Sequence, residues 1–284
     1  MKNTNLYKII IFILCFIAPV QAQENNLIKK HHNIKLGVEI GTDFFFGDPR
    51  KPDMVRESKS SNYYYNDHDF YCGLILDFQN MNVSYFGIKP EIFFLKNRLG
   101  ISSGLRFSRY SSYLKSDRDY FLWLIHQDDI YTEYVKINRI TQNSYYLGIP
   151  LEVKFFPNRR ELPAQFYMKV GSTFNYRLQT NNKIEFQNHF MESNADMIDD
   201  QINDSNLDFN AYIFFAAGIK IGRFKAGSRR KTPNFNIEIH PLNIMLTDKA
   251  SSFIRTNAGI GFQVSAQIPI GKSAPIGSKY LLKN

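Results

Sequence analysis

The sequence predicts an all-β fold: an eight-stranded antiparallel up-and-down transmembrane β-barrel with short periplasmic turns and long extracellular loops. Three observations predict it. Apolar and polar residues alternate with period two in eight separate stretches. The connections between those stretches alternate between long and short. The glycines of the stretches fall on their charged face, not on their apolar face.

The chain opens with "MKNTNLYKIIIFILCFIAPVQAQ". Lys2 and Lys8 form a basic start, Ile9 to Ile17 an apolar run, and Val20-Gln21-Ala22 a small-residue cleavage site. Residues 1–22 are therefore expected to be a signal peptide cleaved near Ala22, with the mature chain starting at Gln23. The apolar run stops at Pro19 and is too short to span a bilayer as a helix. Export with only Cys72 left after cleavage means that no internal disulfide holds the fold. Residues 23–33 read as a periplasmic extension, 34–270 as the barrel, and 271–284 as a periplasmic tail.

The strands follow in order. The first is read over residues 34–46, where Ile34, Leu36, Val38 and Ile40 oppose Lys35, Gly37, Glu39 and Gly41. The second covers 83–95, with Phe86, Ile88 and Ile92 opposing Gly87, Lys89 and Glu91. After a tight turn at Lys96-Asn97-Arg98 the third covers 99–110, where Leu105 and Phe107 oppose Gly104 and Arg106. The fourth, "YYLGIPLEVKFFP" at 145–157, alternates cleanly between apolar odd positions and Gly148, Pro150, Glu152 and Lys154. The fifth covers 164–180 and the sixth 210–223. The seventh, 234–246, breaks phase near Pro241, which predicts a bulge. The eighth covers 255–268, with Thr256, Ala258, Ile260 and Phe262 assigned to the apolar face. Residues 47–82, 113–140 and 181–209 are the long connections.

Glycine placement decides which face meets lipid. Gly87, Gly148, Gly218 and their counterparts would only weaken strands whose charged face met water. Inside an eight-stranded barrel, where the interior holds side chains and little else, they make room for long neighbours. The charged face is thus the lumen. Its candidate charge network is Lys35, Glu39, Asp43, Lys89, Glu91, Arg106, Glu152, Lys154, Lys169, Arg177, Lys220 and Glu238. Both signs are present, so buried ion pairs can form, and an unpaired charge there is costly. Aromatic belts are expected at the two bilayer interfaces. One is read from Phe93-Phe94, Phe155-Phe156, Phe166-Tyr167 and Phe235; the other from Phe44, Phe107, Tyr145, Phe174, Tyr176, Tyr212 and Phe253. The alternative is a soluble lipocalin-like ligand-binding barrel with the apolar face inward.

Two short runs carry a family resemblance. "YLGIPLEVK", residues 146–154, resembles a stretch of the PorT-like outer-membrane β-barrel proteins of Bacteroidota, and "GIKPEIFF", 87–94, is similar to the same family. The resemblance implies an eight-stranded outer-membrane barrel; some such relatives act in gliding and type IX secretion. Asn257 to Val264 also resembles the signal by which barrel-assembly machinery recognises a last strand.

The formal charge is +9, or +7 without Lys2 and Lys8. The short turns are basic, the sixth-to-seventh connection most of all with Arg223, Lys225, Arg229, Arg230 and Lys231. The long loops are acidic: residues 47–82 hold four basic and six acidic side chains, 113–140 four and five, and 181–209 one and seven. Tyr63, Tyr64, Tyr65 and Trp123 are candidate loop contacts, as exposed aromatics serve as anchors or pack on each other.

No nucleophile elbow, P-loop, paired-cysteine site or metal-ligand spacing of His31, His32, His68, His126, His189 and His240 is found. No catalytic residue, metal site or cofactor is assigned. The expected partners are outer-membrane lipid and an envelope or secretion-system protein, with no nucleic acid. The expected function is a non-enzymatic structural, surface or secretion-accessory barrel; a small-solute channel is the alternative. A lipid-modifying enzyme using His240 beside Glu238 is a further reading.

Overall fold

A computed structural model describes residues 33–49, 55–59, 79–95, 98–115, 120–127, 132–157, 164–187, 208–222, 233–247 and 250–270. Among these lie eleven strands: β1 (Asn33–Pro49), β2 (Val55–Lys59), β3 (Gln79–Phe94), β4 (Leu99–Ser103), β5 (Leu105–Lys115), β6 (Tyr120–Gln127), β7 (Thr132–Phe155), β8 (Ala164–Phe186), β9 (Phe209–Gly222), β10 (Asn234–Met245) and β11 (Ile254–Ile270).

Eight staves make a closed ring. β1 pairs with β3, and β3 pairs in succession with β4 and β5, which form one stave interrupted at Gly104. Both pair with β7, and the order continues β7, β8, β9, β10, β11. β11 returns to β1 from Ile34↔Ile270 to Pro49↔Ile254. All pairings are antiparallel, and the β11–β1 pairing leaves no sheet edge open in the ring, as a lipid-embedded sheet requires.

The faces follow the alternation. Ile40 and Val170 are 63% and 58% exposed, whereas Glu39 and Arg106 are 1% and 0% exposed. The apolar face points out on every stave, through Ile88, Leu105, Val153, Ile219, Ile239 and Phe262 among others. A continuous apolar outer face of this kind needs lipid against it. The phase break in β10 is where the sequence places it, with the registers shifting between Ile239 and Leu242 and between His240 and Asn243.

Several belt assignments are corrected. Phe93, Phe156, Tyr167, Tyr212 and Phe253 are all buried inside the barrel. For Phe93, Phe156 and Tyr167 the cause is elementary: neighbours on a strand point to opposite faces, so only one of two adjacent aromatics can meet lipid, whereas Tyr212 has the inward phase of its own strand and Phe253 lies in the connection before β11. Phe155 and Phe166 stay outside while Phe156 and Tyr167 turn in. Thr256 is also inward, because a bulge opposite Phe46/Gly47 shifts the phase of β11 and puts Asn257 outside.

The staves continue past the apolar band at the long-loop end. β7 has 24 residues and β8 has 23, whereas about 9–11 residues cross a membrane. Much of the segment read as a long second loop is therefore strand. β6 pairs with β7 from Leu122↔Ile137 to Gln127↔Thr132, and β2 pairs with β6 from Val55↔Leu124 to Lys59↔Tyr120. Trp123 sits in β6 between Arg56 and Lys136 in register. Tyr63, Tyr64 and Tyr65 lie outside the described residues, as do residues 1–32 and 271–284.

Candidate functional site

Among the described residues the lumen collects most of the buried charged side chains, and it does so in layers. At the short-turn end Phe93, Phe156 and Tyr167 form a cluster, with ring centroids 6.1 Å (Phe93–Phe156) and 5.2 Å (Phe156–Tyr167) apart. Three lysines cap these rings. Lys35 Nζ lies 4.8 Å from Phe93, Lys154 Nζ 4.6 Å from Tyr167, and Lys220 Nζ 5.4 Å from Phe156. Such contacts favour a cation over an aromatic face most where water is scarce. The turn below is closed by Arg98, whose Nη2 donates to the Pro157 carbonyl at 2.6 Å.

The middle layer is an interlocked ion network. Arg106 donates from Nε to Glu39 Oε1 at 2.8 Å and from Nη2 to Glu152 Oε1 at 3.1 Å. Its Nη1 donates to the Thr173 and Tyr212 hydroxyls, each at 3.1 Å, and its guanidinium lies 4.2 Å over the Tyr85 ring. Lys89 pairs with Glu39 at 2.5 Å and also with Glu152. Lys169 joins Glu152 at 3.5 Å to Glu238. Lys154 reaches Glu91 at 3.3 Å and Glu238 at 3.9 Å. Tyr167 donates to Glu238 at 2.6 Å, and Gln267 donates to Glu91. A single stave cannot satisfy any of these groups. The network draws its carboxylates from β1, β3, β7 and β10, and its cations from β3, β5, β7 and β8. Four buried carboxylates (Glu39, Glu91, Glu152, Glu238) thus meet four buried cations (Lys89, Arg106, Lys154, Lys169), with Asp43 and Lys35 buried above and below them. Matched charge is what makes such a layer tolerable away from water.

The glycines make this packing possible. A Cβ at Gly87 would fall 2.7 Å from Glu39 Oε1, and one at Gly218 2.6 Å from Tyr167 Cζ and 2.9 Å from Glu238 Cγ.

Above the network His240 Nδ1 lies 2.9 Å from Asp43 Oδ1, and its ring stacks on Phe214 with centroids 5.0 Å apart. Tyr212 donates to Asp43 Oδ2 at 3.3 Å. His240 Nε2 is 3.8 Å from Glu238 Oε2. The histidine and both carboxylates are fully buried. An aromatic and apolar layer follows, with Phe45, Met81, Val83, Tyr85, Tyr110, Tyr146 and Met245 among its members. Asn175 Nδ2 donates to the Tyr110 hydroxyl at 3.0 Å and to Asn210 Oδ1 at 2.9 Å.

The mouth is stopped by the connection between β10 and β11. Ala250, Ser251, Ser252 and Phe253 are at most 2% exposed. Ser251 Oγ lies 2.6 Å from Ser112 Oγ. The Ser252 amide donates to Gln142 Oε1 at 3.0 Å, and Gln142 Nε2 donates to Ser252 Oγ at 3.1 Å. Sequence reasoning missed this stopper. "ASSF" has no periodic signal, and Ser112 and Gln142 lie beyond the ends given to their strands. Inward Tyr85 and Tyr212 were legible, since each shares the phase of a lumen glycine, Gly87 and Gly218.

Two of the charged residues read into the lumen lie toward its ends and are less buried than the rest. Arg177 is only partly buried and pairs at 2.7 Å with exposed Asp208 at the long-loop end. Lys220 is half-buried at the opposite end. Among the described residues no group of three or more His, Cys, Asp and Glu can hold a metal ion.

The sequence profile of a family described as "Outer membrane protein beta-barrel domain" matches residues 21–242. The chain belongs to that family. A member of it resides in the outer membrane, in agreement with the outward apolar face. Among solved structures, the chain is similar to the outer membrane protein AlkL, determined by solid-state NMR in DMPC bilayers. The identity is 11% and the TM-score 0.30, covering 90% of this chain and 100% of that one. It is also similar to Ail, the attachment invasion locus protein of Yersinia pestis, crystallised with the heparin analogue sucrose octasulfate. That identity is 9% and the TM-score 0.22, covering 84% of this chain and 99% of that one. These likenesses add nothing to the barrel already read from strand register. A search of curated proteins returns no match.

Proposed function

We propose that this barrel is a non-enzymatic surface or secretion-accessory component that holds an extracellular sheet and acidic, aromatic loops for a protein partner in the envelope. The observation that supports the reading is the filled lumen. Arg106, Tyr146, Tyr167, Tyr212, Phe45, Phe156, Lys169 and Phe253, all large side chains, are each less than 2% exposed. A barrel packed in this way serves as a rigid post, and its outward sites lie on the extended β5 to β8 and the β2–β6 pair attached to them. The resemblance of residues 146–154 to PorT-like proteins favours a role of the type IX secretion or gliding kind. In this reading residues 1–22 are removed on export and 271–284 remain in the periplasm.

The test is photo-crosslinking in cells from a probe placed at Trp123, paired with planar-bilayer recordings on the purified, folded chain. A discrete crosslinked protein and silent bilayers are expected. Steady ion current without any crosslinked protein would replace this reading with the small-solute channel.

A further inference from the structure

Above the apolar band the outer wall changes character, and its cations gather on one side. Outward positions on β5 run Leu105 and Phe107, then Arg109, Ser111, Tyr113 and Lys115. Their partners on β7 are Tyr145, Asn143, Thr141 and Arg139. The next residues round the barrel, on β8, are Gln179, Asn181, Lys183 and Glu185. The wall of these three strands is therefore polar and basic, and it lies directly over the stacked pair Phe107–Tyr145, whose centroids are 6.0 Å apart. Elsewhere round the barrel the strand tops are mixed: β9 and β10 present Phe209, Ile244 and Leu246, while β1 and β11 carry exposed Asp48, Arg255 and Asn257 beside Phe44.

The cations are held for use. Lys183 is paired with Glu185 at 3.3 Å. Among the described residues Arg109, Lys115 and Arg139 form no ion pair with a carboxylate. Arg109 is fixed by an amide, its Nε and Nη2 donating to Asn143 Oδ1 at 3.2 and 2.9 Å. It lines a recess of about 200 Å³ with Asn82, Ser84 and Ser111. Arg139 lies 4.5 Å over the Tyr113 ring. Arg109 and Lys115 are six residues apart on one strand, which is about 20 Å.

We propose that this face, β5, β7 and β8 together with Asn82 and Ser84 of the adjoining β3, binds the phosphorylated headgroup of an outer-leaflet glycolipid. The recess with Arg109 takes the phosphate nearest the acyl chains, which lie along Phe107 and Leu147. Arg139 and Lys115 meet acidic groups farther out on the same headgroup. The chemistry fits on three counts. A planar guanidinium flanked by hydroxyls and amides suits a phosphate. The site is at the level where headgroups replace chains. Its cations are spread along the membrane normal, matching a lipid that carries several anionic groups at different depths. The loops above are acidic, so the basic face is not a general property of this end of the chain.

The test uses the full chain folded in detergent, with bis-phosphorylated lipid A as probe and retention measured by native mass spectrometry. Wild-type protein is expected to hold one lipid A at least about tenfold more tightly than the chemically dephosphorylated form, and R109Q/K115Q/R139Q to lose that preference. R255Q, at an exposed arginine on β11 outside this face, keeps it. Heat-modifiable mobility on gels reports folding of each variant; should the triple variant not fold, R109Q alone is expected to lose about threefold. Equal retention of dephosphorylated lipid, or unchanged preference in the folded triple variant, overturns the proposal. So does inositol hexakisphosphate displacing lipid A at equal concentration, since the site would then read free phosphate and not a lipid.

Discussion

Arg106→Met is the most informative single change to the lumen. The guanidinium is fully buried and touches Glu39, Glu152, Thr173 and Tyr212. Removing one partner of a buried ion pair costs about 3–5 kcal/mol, because the other charge is left uncompensated. Two hydroxyls also lose a donor, adding about 1 kcal/mol each. Two effects reduce the total. Lys89 still contacts both Glu39 and Glu152, and Met fills part of the space. The expected net loss is about 3–5 kcal/mol. Glu39→Gln in the same chain removes one of the stranded charges, so R106M/E39Q should recover about 1–2 kcal/mol relative to the sum of the single changes. The assay is urea unfolding in detergent micelles, read by the mobility of unboiled samples. If R106M stays within about 0.5 kcal/mol of wild type, or the two changes simply add, the ion network is not what holds the staves in place.

Three further outcomes are expected. Ile88→Arg, on the lipid face, should cost about 2–4 kcal/mol in the same titration, and a change within about 0.5 kcal/mol would mean that Ile88 does not meet hydrocarbon. Ser112→Cys/Ser251→Cys, made together with Cys72→Ser, should form a disulfide without added oxidant catalyst, because the two hydroxyl oxygens lie 2.6 Å apart; free thiols in the folded protein would mean that the stopper does not sit in the mouth. Intact-mass measurement of protein recovered from the outer membrane should place the N-terminus at Gln23, and a chain retaining Met1 would remove the signal-peptide reading.

Much of this was legible from the residues. Period-two alternation gave the eight staves and the orientation of "YYLGIPLEVKFFP", whose Glu152 and Lys154 are buried while Leu151 and Val153 face out. Pro241 marked its own bulge. The failures have definite causes. Adjacent aromatics such as Phe155-Phe156 were read as one belt although a strand separates them onto two faces. The β11 bulge moved Thr256 inward, and it is set by the partner strand at Phe46/Gly47, not by any local residue type. The strand content of 113–140 was hidden because that pairing is between loops, where no membrane imposes an apolar face. The ion-pair partners were beyond reach for the same reason: which carboxylate meets Arg106 depends on stagger between staves distant in the chain.

The pairing of β1 with β11 joins Ile34 to Ile270, residues at opposite ends of the described chain. Until that last strand arrives, β1 and β10 each present a row of unmet amides and carbonyls, which hydrocarbon does not tolerate. Contacts this distant in sequence also form slowly. Assembly is therefore a single commitment: a chain shortened by residues 254–270 has no partial barrel to settle into, and its fate is set before it reaches the membrane.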